Sequence, residues 1–275
     1  MASIDSHQHF WQYDPVQHDW IDDNMSVIRK DFFPADLQPV LQQNNIDGTV
    51  AVQADQTKAE TDFLLQLQKD NPFIKGVVGW VDLRANNIEE QLAAYKQFDA
   101  VKGFRHVLQG EAPEFMLQPD FLNGIAALKQ FDFTYDILIF PKHLPAAIKL
   151  VQQFPDQKFV IDHLAKPYIK AGLIDEWKQD MHTIAQYPNV YCKVSGMVTE
   201  ADYKNWTAEN FKPYLDVVVQ AFGTKRLMYG SDWPVCLVAA SYEKMLGIVK
   251  EYFSSFTTTE QQDMFGNNAA AFYKL

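Results

Sequence analysis

Cysteine is scarce, with only Cys192 and Cys236 in 275 residues and no metal-type spacing between them. That argues against a disulfide framework and leaves two buried free thiols as the expectation. Glycine-rich phosphate cradles are missing as well. No Gly-x-Gly-x-x-Gly follows an early strand-like run and no Walker-type loop occurs, so no nucleotide cofactor is expected. No apolar run is long enough to span a bilayer, and the chain starts almost at once with Ser3-Ile4-Asp5 rather than a basic-then-apolar leader. A cytoplasmic protein with no membrane partner is the expectation. Positive charge is in deficit too: 24 Lys and Arg stand against 35 Asp and Glu, a net charge of −11. Nucleic acid is therefore not the expected partner, although a small anionic substrate stays open because a local cluster can oppose the global sign.

Apolar residues are plentiful, 47% of the chain, enough for a sizeable core. No linker, low-complexity tract or charge block divides the sequence, which reads as one domain over 1–275. Strand-like runs recur. The first ends in Ile4-Asp5-Ser6-His7-Gln8-His9, and others follow at 48–53, 74–81, 101–107, 133–139, 158–163, 189–195 and 226–230. Helical patterns lie between most of them: one opened by Pro34, one at 61–69, one at 88–98 and one at 120–130 with Asp120 as its cap. Residues 13–30 show no clean period and read as a long functional loop. Eight strand–helix units in this length predict an α/β fold, a (β/α)8 barrel in preference to an open doubly wound sheet.

Active sites of such barrels lie at the carboxyl ends of the strands. The polar residues there are His7 and His9, Gln53 and Asp55, Trp80 and Asp82, Arg105 and His106, Tyr135 and Asp136, Asp162 and His163, Lys193 and Ser195, and finally Ser231-Asp232-Trp233-Pro234. Side chains alternate along a strand. His7 and His9 are therefore expected on one face, and one of Asp162 and His163 is expected to point outward. His18, His143 and His182 lie in loop or helix and read as surface residues. Arg105 has a plain alternative as a structural ion pair.

Four stretches together resemble the amidohydrolase superfamily: Asp5-Ser6-His7-Gln8-His9-Phe10-Trp11, Gly103-Phe104-Arg105-His106, Ile161-Asp162-His163-Leu164-Ala165-Lys166-Pro167 and Tyr229-Gly230-Ser231-Asp232-Trp233-Pro234. The closer likeness is to its amidohydrolase 2 branch of L-fuconolactonase-like and L-rhamnonolactonase-like sugar lactonases. The closing Phe265-Gly266-Asn267-Asn268-Ala269 and Phe272-Tyr273 are similar to that branch's C-terminal helix. The resemblance implies a distorted (β/α)8 TIM barrel of the amidohydrolase type and hydrolysis of a sugar-acid lactone. It places His7, His9, His163 and Asp232 at the reaction centre. His7, His9 and Asp232 are its implied ligands for a divalent metal. Arg105-His106 replaces a bridging lysine or glutamate, and Asp136 replaces a histidine. The expectation is at most one metal, Zn or Mn, which catalysis can dispense with.

Opening a lactone needs an activated water, a polarised carbonyl and a proton for the leaving alkoxide. Asp232 is the expected general base, with His163, Arg105 and His106 as further catalytic groups. Gln53, Trp80, Tyr135 and Trp20 are expected to bind the sugar ring. Two other readings are kept: a mononuclear metal-dependent decarboxylase of the same superfamily, and a non-catalytic sugar-acid-binding barrel. A homodimer stays open, because exterior helix faces serve core and interface alike.

Overall fold

The computed structural model describes residues 2–275. The strands are β1 (Ile4–Gln8), β2 (Gly48–Val52), β3 (Ile74–Gly79), β4 (Val101–Val107), β5 (Thr134–Leu138), β6 (Phe159–Ile161), β7 (Val190–Val194) and β8 (Leu227–Tyr229). They form one parallel sheet in the order β1 to β8. β1 and β8 meet at the mouth. His9 N donates to Trp233 O at 2.7 Å, Asp232 N to His7 O at 2.8 Å, and Gln8 pairs with Trp233. The expected barrel is therefore present, and it is nearly closed.

Helices surround it: α1 (Pro34–Gln43), α2 (Lys58–Asp70), α3 (Ile88–Lys96), α4 (Pro119–Gln130), α5 (Leu144–Gln153), α6 (Asp175–Ile184), α7 (Ala208–Phe222), α8 (Tyr242–Phe253), α9 (Thr258–Gln262) and α10 (Asn268–Tyr273). Their starts follow local chemistry. Pro34 opens α1, while Thr57 and Ser241 cap α2 and α8 by accepting from Glu60 N and Lys244 N. Asp120 is not the cap expected of it. Pro119 begins α4 one residue earlier, and the Asp120 carboxylate bonds Phe121 N and Arg84 instead. The 13–30 segment contains a short 3-10 turn, Asp23–Ile28. No helix among the described residues is long and apolar enough to cross a membrane.

Alternation along the strands creates two cores. Residues facing outward, such as Phe104, Tyr135, Phe159 and Ile161, pack against the helices. A smaller cluster fills the barrel interior: Ile4, Val50, Val52, Val78, Val160 and Met228, closed from below by Ala269, Phe272 and Tyr273 of α10. Both cysteines are free and buried, as expected.

Candidate active site

Four charged side chains stand above the interior apolar cluster. Following alternation inward, β4 supplies Arg105, β5 Asp136 and β7 Lys193, while Asp162 follows Val160 of β6. Asp136, Asp162 and Lys193 are completely buried. Lys193 Nζ lies 2.6 Å from Asp136 Oδ2, 3.0 Å from Asp162 Oδ1 and 3.1 Å from His7 Nδ1. Arg105 Nη1 donates to Asp162 Oδ2 at 3.0 Å. Arg105 Nη2 donates to Gln53 Oε1 at 3.0 Å and also to the Gln53 carbonyl. Two cations offset two carboxylates, which is what makes burial of all four tolerable. The carboxylates differ in ionisation. Burial pushes Asp162 up, but Lys193, His7 and Arg105 outweigh it and hold the group well below the usual range. Asp136 has Lys193 and the Tyr273 hydroxyl, and burial carries it up to about 6.

The remaining groups arrive on backbone that breaks the strand pattern. β1 carries an irregularity between Asp5 and Gln8: three residues advance (8 − 5) against two on β2 (51 − 49). Ile4 faces the barrel interior, so simple alternation would send Ser6 and Gln8 inward. The extra residue sends His7 and His9 there instead, a common use of a bulge at a barrel rim. After Ile161 the chain turns left-handed. His163, Leu164, Ala165 and Lys166 all have positive φ, between 48° and 57°, at a cost of roughly 1–2 kcal/mol each. Alternation from Ile161 would face His163 outward, but the turn swings it back. Asp162 and His163 therefore both enter the site, and the expectation that one points away is wrong. Packing holds the turn. Leu164 and Ala165 are fully buried, Trp177 Nε1 donates to Leu164 O at 2.7 Å, and Lys166 pairs with Glu200 at 2.7 Å. Asp232 also has a positive φ, 58°.

These irregular ends converge. Asp232 Oδ1 lies 3.4 Å from His9 Nε2, 3.7 Å from His163 Nε2 and 3.9 Å from His7 Nε2. His9 and His7 touch through their Nε2 atoms at 3.1 Å. His9 Nδ1 is 2.7 Å from Val52 O; a carbonyl only accepts, so Nδ1 carries the proton. His163 Nδ1 meets Ser195 Oγ at 2.8 Å. Gly196 lets this ring approach, since a Cβ there would sit 2.5 Å from His163 Nδ1. Burial pushes the His9 and His163 pKa values down, that of His163 well below the usual value. Burial raises Asp232, but His163 and His9 outweigh it and leave the group below the usual carboxylate value, hence ionised at neutral pH. His9, His163, Asp232 and Arg105 keep 2–4% exposure, while His7, Asp136, Asp162 and Lys193 have none. The first four form the mouth of the site and the second four its floor.

Other expected residues fall differently. His106 alternates with Arg105 and lies on the outer side, stacked on Phe115 at 5.2 Å, edge-on to Phe121 and 3.6 Å from Glu111. It is not part of the cluster. Tyr135 likewise faces outward, between Phe121 and Phe159. Alternation places it in the outer core, away from any sugar in the mouth. Gln53 is in the site, but its side chain is engaged with Arg105. Trp80 follows β3, half-buried, with its indole N–H buried and unpaired. Trp20 is partly exposed and edge-on to Trp11 at 5.9 Å. His18 and His143 are buried, contrary to expectation. His18 stacks on Tyr13, and His143 folds back on the backbone of Phe140 and reaches Glu111 O.

Sequence reasoning noted Lys193, Asp136 and Ser195 at strand ends without assigning them roles. Alternation alone would have paired Lys193 with Ser195 and set both inward. Tyr273, whose hydroxyl donates to Asp136 Oδ2 at 2.7 Å, had no local signal, because it crosses the barrel floor from the far end of the chain.

Among the described residues two donor sets could hold a metal ion, His7, Asp162 and His163 or His7, His9 and Asp232, and the second lies at the mouth. The ring nitrogens of His7 and His9 and a carboxylate oxygen of Asp232 all lie within 4.8 Å of one another, and the His9 Nε2 lone pair faces this space. His and Asp are the ligand types zinc takes.

Comparison with known proteins gives consistent findings. An amidohydrolase family model matches residues 4–275. An L-fucono-1,5-lactonase of Burkholderia multivorans is 38% identical, over 99% of this chain and 96% of its own length. One of Burkholderia ambifaria is 35% identical, over 99% and 95%. A crystal structure of a Burkholderia multivorans amidohydrolase with zinc bound superposes with a TM-score of 0.97 at 37% identity, covering both chains completely.

Proposed function

Because the chain belongs to the amidohydrolase family, we propose that it is a lactonase that opens a sugar-acid lactone, an L-fucono-1,5-lactone-like ring, to the aldonate. The observation that carries the proposal is the ionised Asp232 at the mouth, within 3.4–3.9 Å of three imidazole nitrogens, in a chain 38% identical to an L-fucono-1,5-lactonase.

Asp232 takes a proton from water as that water attacks the ring carbonyl. Its lowered pKa makes it a mild base, which suits an ester more reactive than an amide. The developing oxyanion needs donors held in place before the reaction. Arg105 meets that need: Gln53 and Asp162 hold its guanidinium, and its 4% exposure puts it at the mouth. His163 is steadied by Ser195, and its Nε2 faces Asp232. It relays the proton from Asp232 to the departing ring oxygen, giving hydroxyl and carboxylate as products. The unpaired Trp80 indole N–H is a donor for a sugar hydroxyl. Trp20, partly exposed beside Trp11, offers an apolar face.

His7, His9 and Asp232 are the groups that would hold a divalent zinc or manganese ion. Such an ion supplies Lewis acidity and lowers the pKa of bound water. Its role is dispensable in this reading, because Arg105 already brings fixed positive charge to within 3.3 Å of His7 Nε2.

The test is proton release on mixing the protein with a panel of aldonolactones, L-fucono-1,5-lactone first, before and after chelation, with metal content measured on the same sample. Stereoselective hydrolysis that survives chelation is expected. Failure to hydrolyse any lactone, with or without added zinc, overturns the proposal. Hydrolysis abolished by chelation and restored by zinc overturns the dispensable role of the metal.

A further inference from the structure

The end of the barrel away from Asp232 has a charge balance opposite to that of the chain. A cavity of about 320 Å³ opens there around the starts of β4, β5 and β6, the last turns of α3 and α4, and the end of α10. Its volume falls in the range of small-molecule sites, roughly 300–1,000 Å³. Five lysines line it, Lys96, Lys102, Lys129, Lys158 and Lys274, against three aspartates, Asp99, Asp132 and Asp156, in a chain of net charge −11. Helix ends account for part of the excess, because C-terminal carbonyls attract cations. Lys102 Nζ donates to Lys274 O at 3.0 Å, Lys129 Nζ to Asp156 O at 2.9 Å, and Lys158 Nζ reaches the Ala271 and Phe272 carbonyls at 3.4 Å and 3.5 Å. An ammonium has three donors, so each of these lysines has donors left over. Lys96 has no hydrogen-bond partner among the described residues and lies over the Phe133 ring, 5.4 Å from its centre. Asp132 pairs with Lys274, and Asp99, fully exposed, is 3.6 Å from Lys102. The crowding of cations is felt at Lys158, whose pKa is lowered by burial and further by Lys274 and Lys129, with Asp132 opposing.

We propose that this cavity is a second binding site, one that takes the phosphate monoester of a sugar or polyol, with the phosphate among the lysines. Lysines are mobile point charges that suit a phosphate. Two more cations than anions line the cavity, which matches a dianion better than a monocarboxylate such as an aldonate. Gln157, another lining residue, is 1% exposed. Its Nε2 donates to the Phe133 and Lys158 carbonyls at 2.9 Å and 3.0 Å, while its Oε1 is buried without a partner. Buried acceptors are seldom left unsatisfied, and a ligand hydroxyl is the kind of donor this one lacks.

Isothermal titration calorimetry of the full chain with glucose 6-phosphate, inorganic phosphate and glucose tests the proposal at low salt, where exposed charges are least screened. One saturable glucose 6-phosphate site per chain is expected, about tenfold or more tighter than inorganic phosphate, with no binding of glucose. Lys96→Gln/Lys129→Gln removes two cations from exposed helix ends and should weaken glucose 6-phosphate binding about tenfold or more, with lactone hydrolysis unchanged. Asp232→Asn should bind it as wild type does, which separates the cavity from the mouth. Amine acetylation read by mass spectrometry adds a measurement that needs no variant: glucose 6-phosphate should protect Lys96 and Lys129 in wild type. Binding that does not saturate, equal affinity for inorganic phosphate, unchanged affinity in the double variant or unprotected lysines each overturns the proposal. Loss of binding in Asp232→Asn overturns it as well, by assigning the ligand to the mouth. A chain that binds the phosphate ester as described but hydrolyses no lactone would count against the proposed function alone.

Discussion

The regular strand ends and the irregular ones do different work in this barrel. Where alternation is kept, at β4, β5, β7 and the end of β6, the strands deliver Arg105, Asp136, Lys193 and Asp162, a charge-balanced network that is almost wholly buried. Where it is broken, by the extra residue in β1, the left-handed turn after β6 and the positive φ of Asp232, the chain delivers His7, His9, His163 and Asp232. All but His7 keep slight contact with solvent. A repeating strand can stack side chains in layers but cannot bend neighbouring ones toward a single point. Converging three imidazoles on one carboxylate requires backbone that leaves the repeat, and the strain is borne by packing elsewhere.

The sharpest way to separate the two regions is Asp232→Asn. The substitution keeps size and backbone but removes the base, so kcat is expected to fall by about 10²–10⁴ with KM and melting temperature little changed. Steady-state kinetics on the hydrolysed lactone checks this, and near-normal kcat would remove Asp232 from the mechanism. A smaller but double effect is expected from Gly196→Ala. The new Cβ would stand 2.5 Å from His163 Nδ1, at a φ of +61° that favours glycine. The pinned ring has to move off Ser195, so activity should fall at least about tenfold and stability by about 1–3 kcal/mol. Kinetics and urea denaturation together test it, and a silent substitution would mean that the His163 position is not fixed by this contact.

The smallest effect probes the left-handed turn itself. Ala165→Gly loses a buried methyl worth about 0.8 kcal/mol but relieves a positive-φ cost of roughly 1–2 kcal/mol. Stability is expected to stay within about 1 kcal/mol of wild type. Ala127→Gly, at an equally buried but helical position in α4, should instead cost about 1–2 kcal/mol. Equal losses at both positions, seen by urea denaturation, would show that the turn carries no strain.

The barrel was legible in the order of the residues. Apolar runs of strand length alternating with helical stripes leave few ways to bury both faces of a parallel sheet, and all eight expected strands are present. The residues that converge in the candidate site, His7, His9, Arg105, His163 and Asp232, were legible as strand-end polar groups, because residue type and place in the repeat are local properties. Facing was legible only where the two-residue repeat holds. It explains Arg105 pointing in and His106 and Tyr135 pointing out, an alternation that their selection as site residues passed over. It fails at His163, which enters because four successive residues turn left-handed, a conformation that nothing in Asp162-His163-Leu164-Ala165-Lys166 announces and only the surrounding packing enforces.

By itself, then, the sequence determined the eightfold strand–helix alternation and the stock of His, Asp and Arg at strand ends, since hydrophobic period and residue chemistry are local properties. The tertiary structure alone decided which of those groups meet. It re-aimed β1 by one extra residue, reversed His163, and brought Tyr273 of α10 beneath Asp136, 137 residues away along the chain. Those outcomes depend on closing the barrel and covering its floor, where contacts between distant residues outweigh the preferences of any one segment.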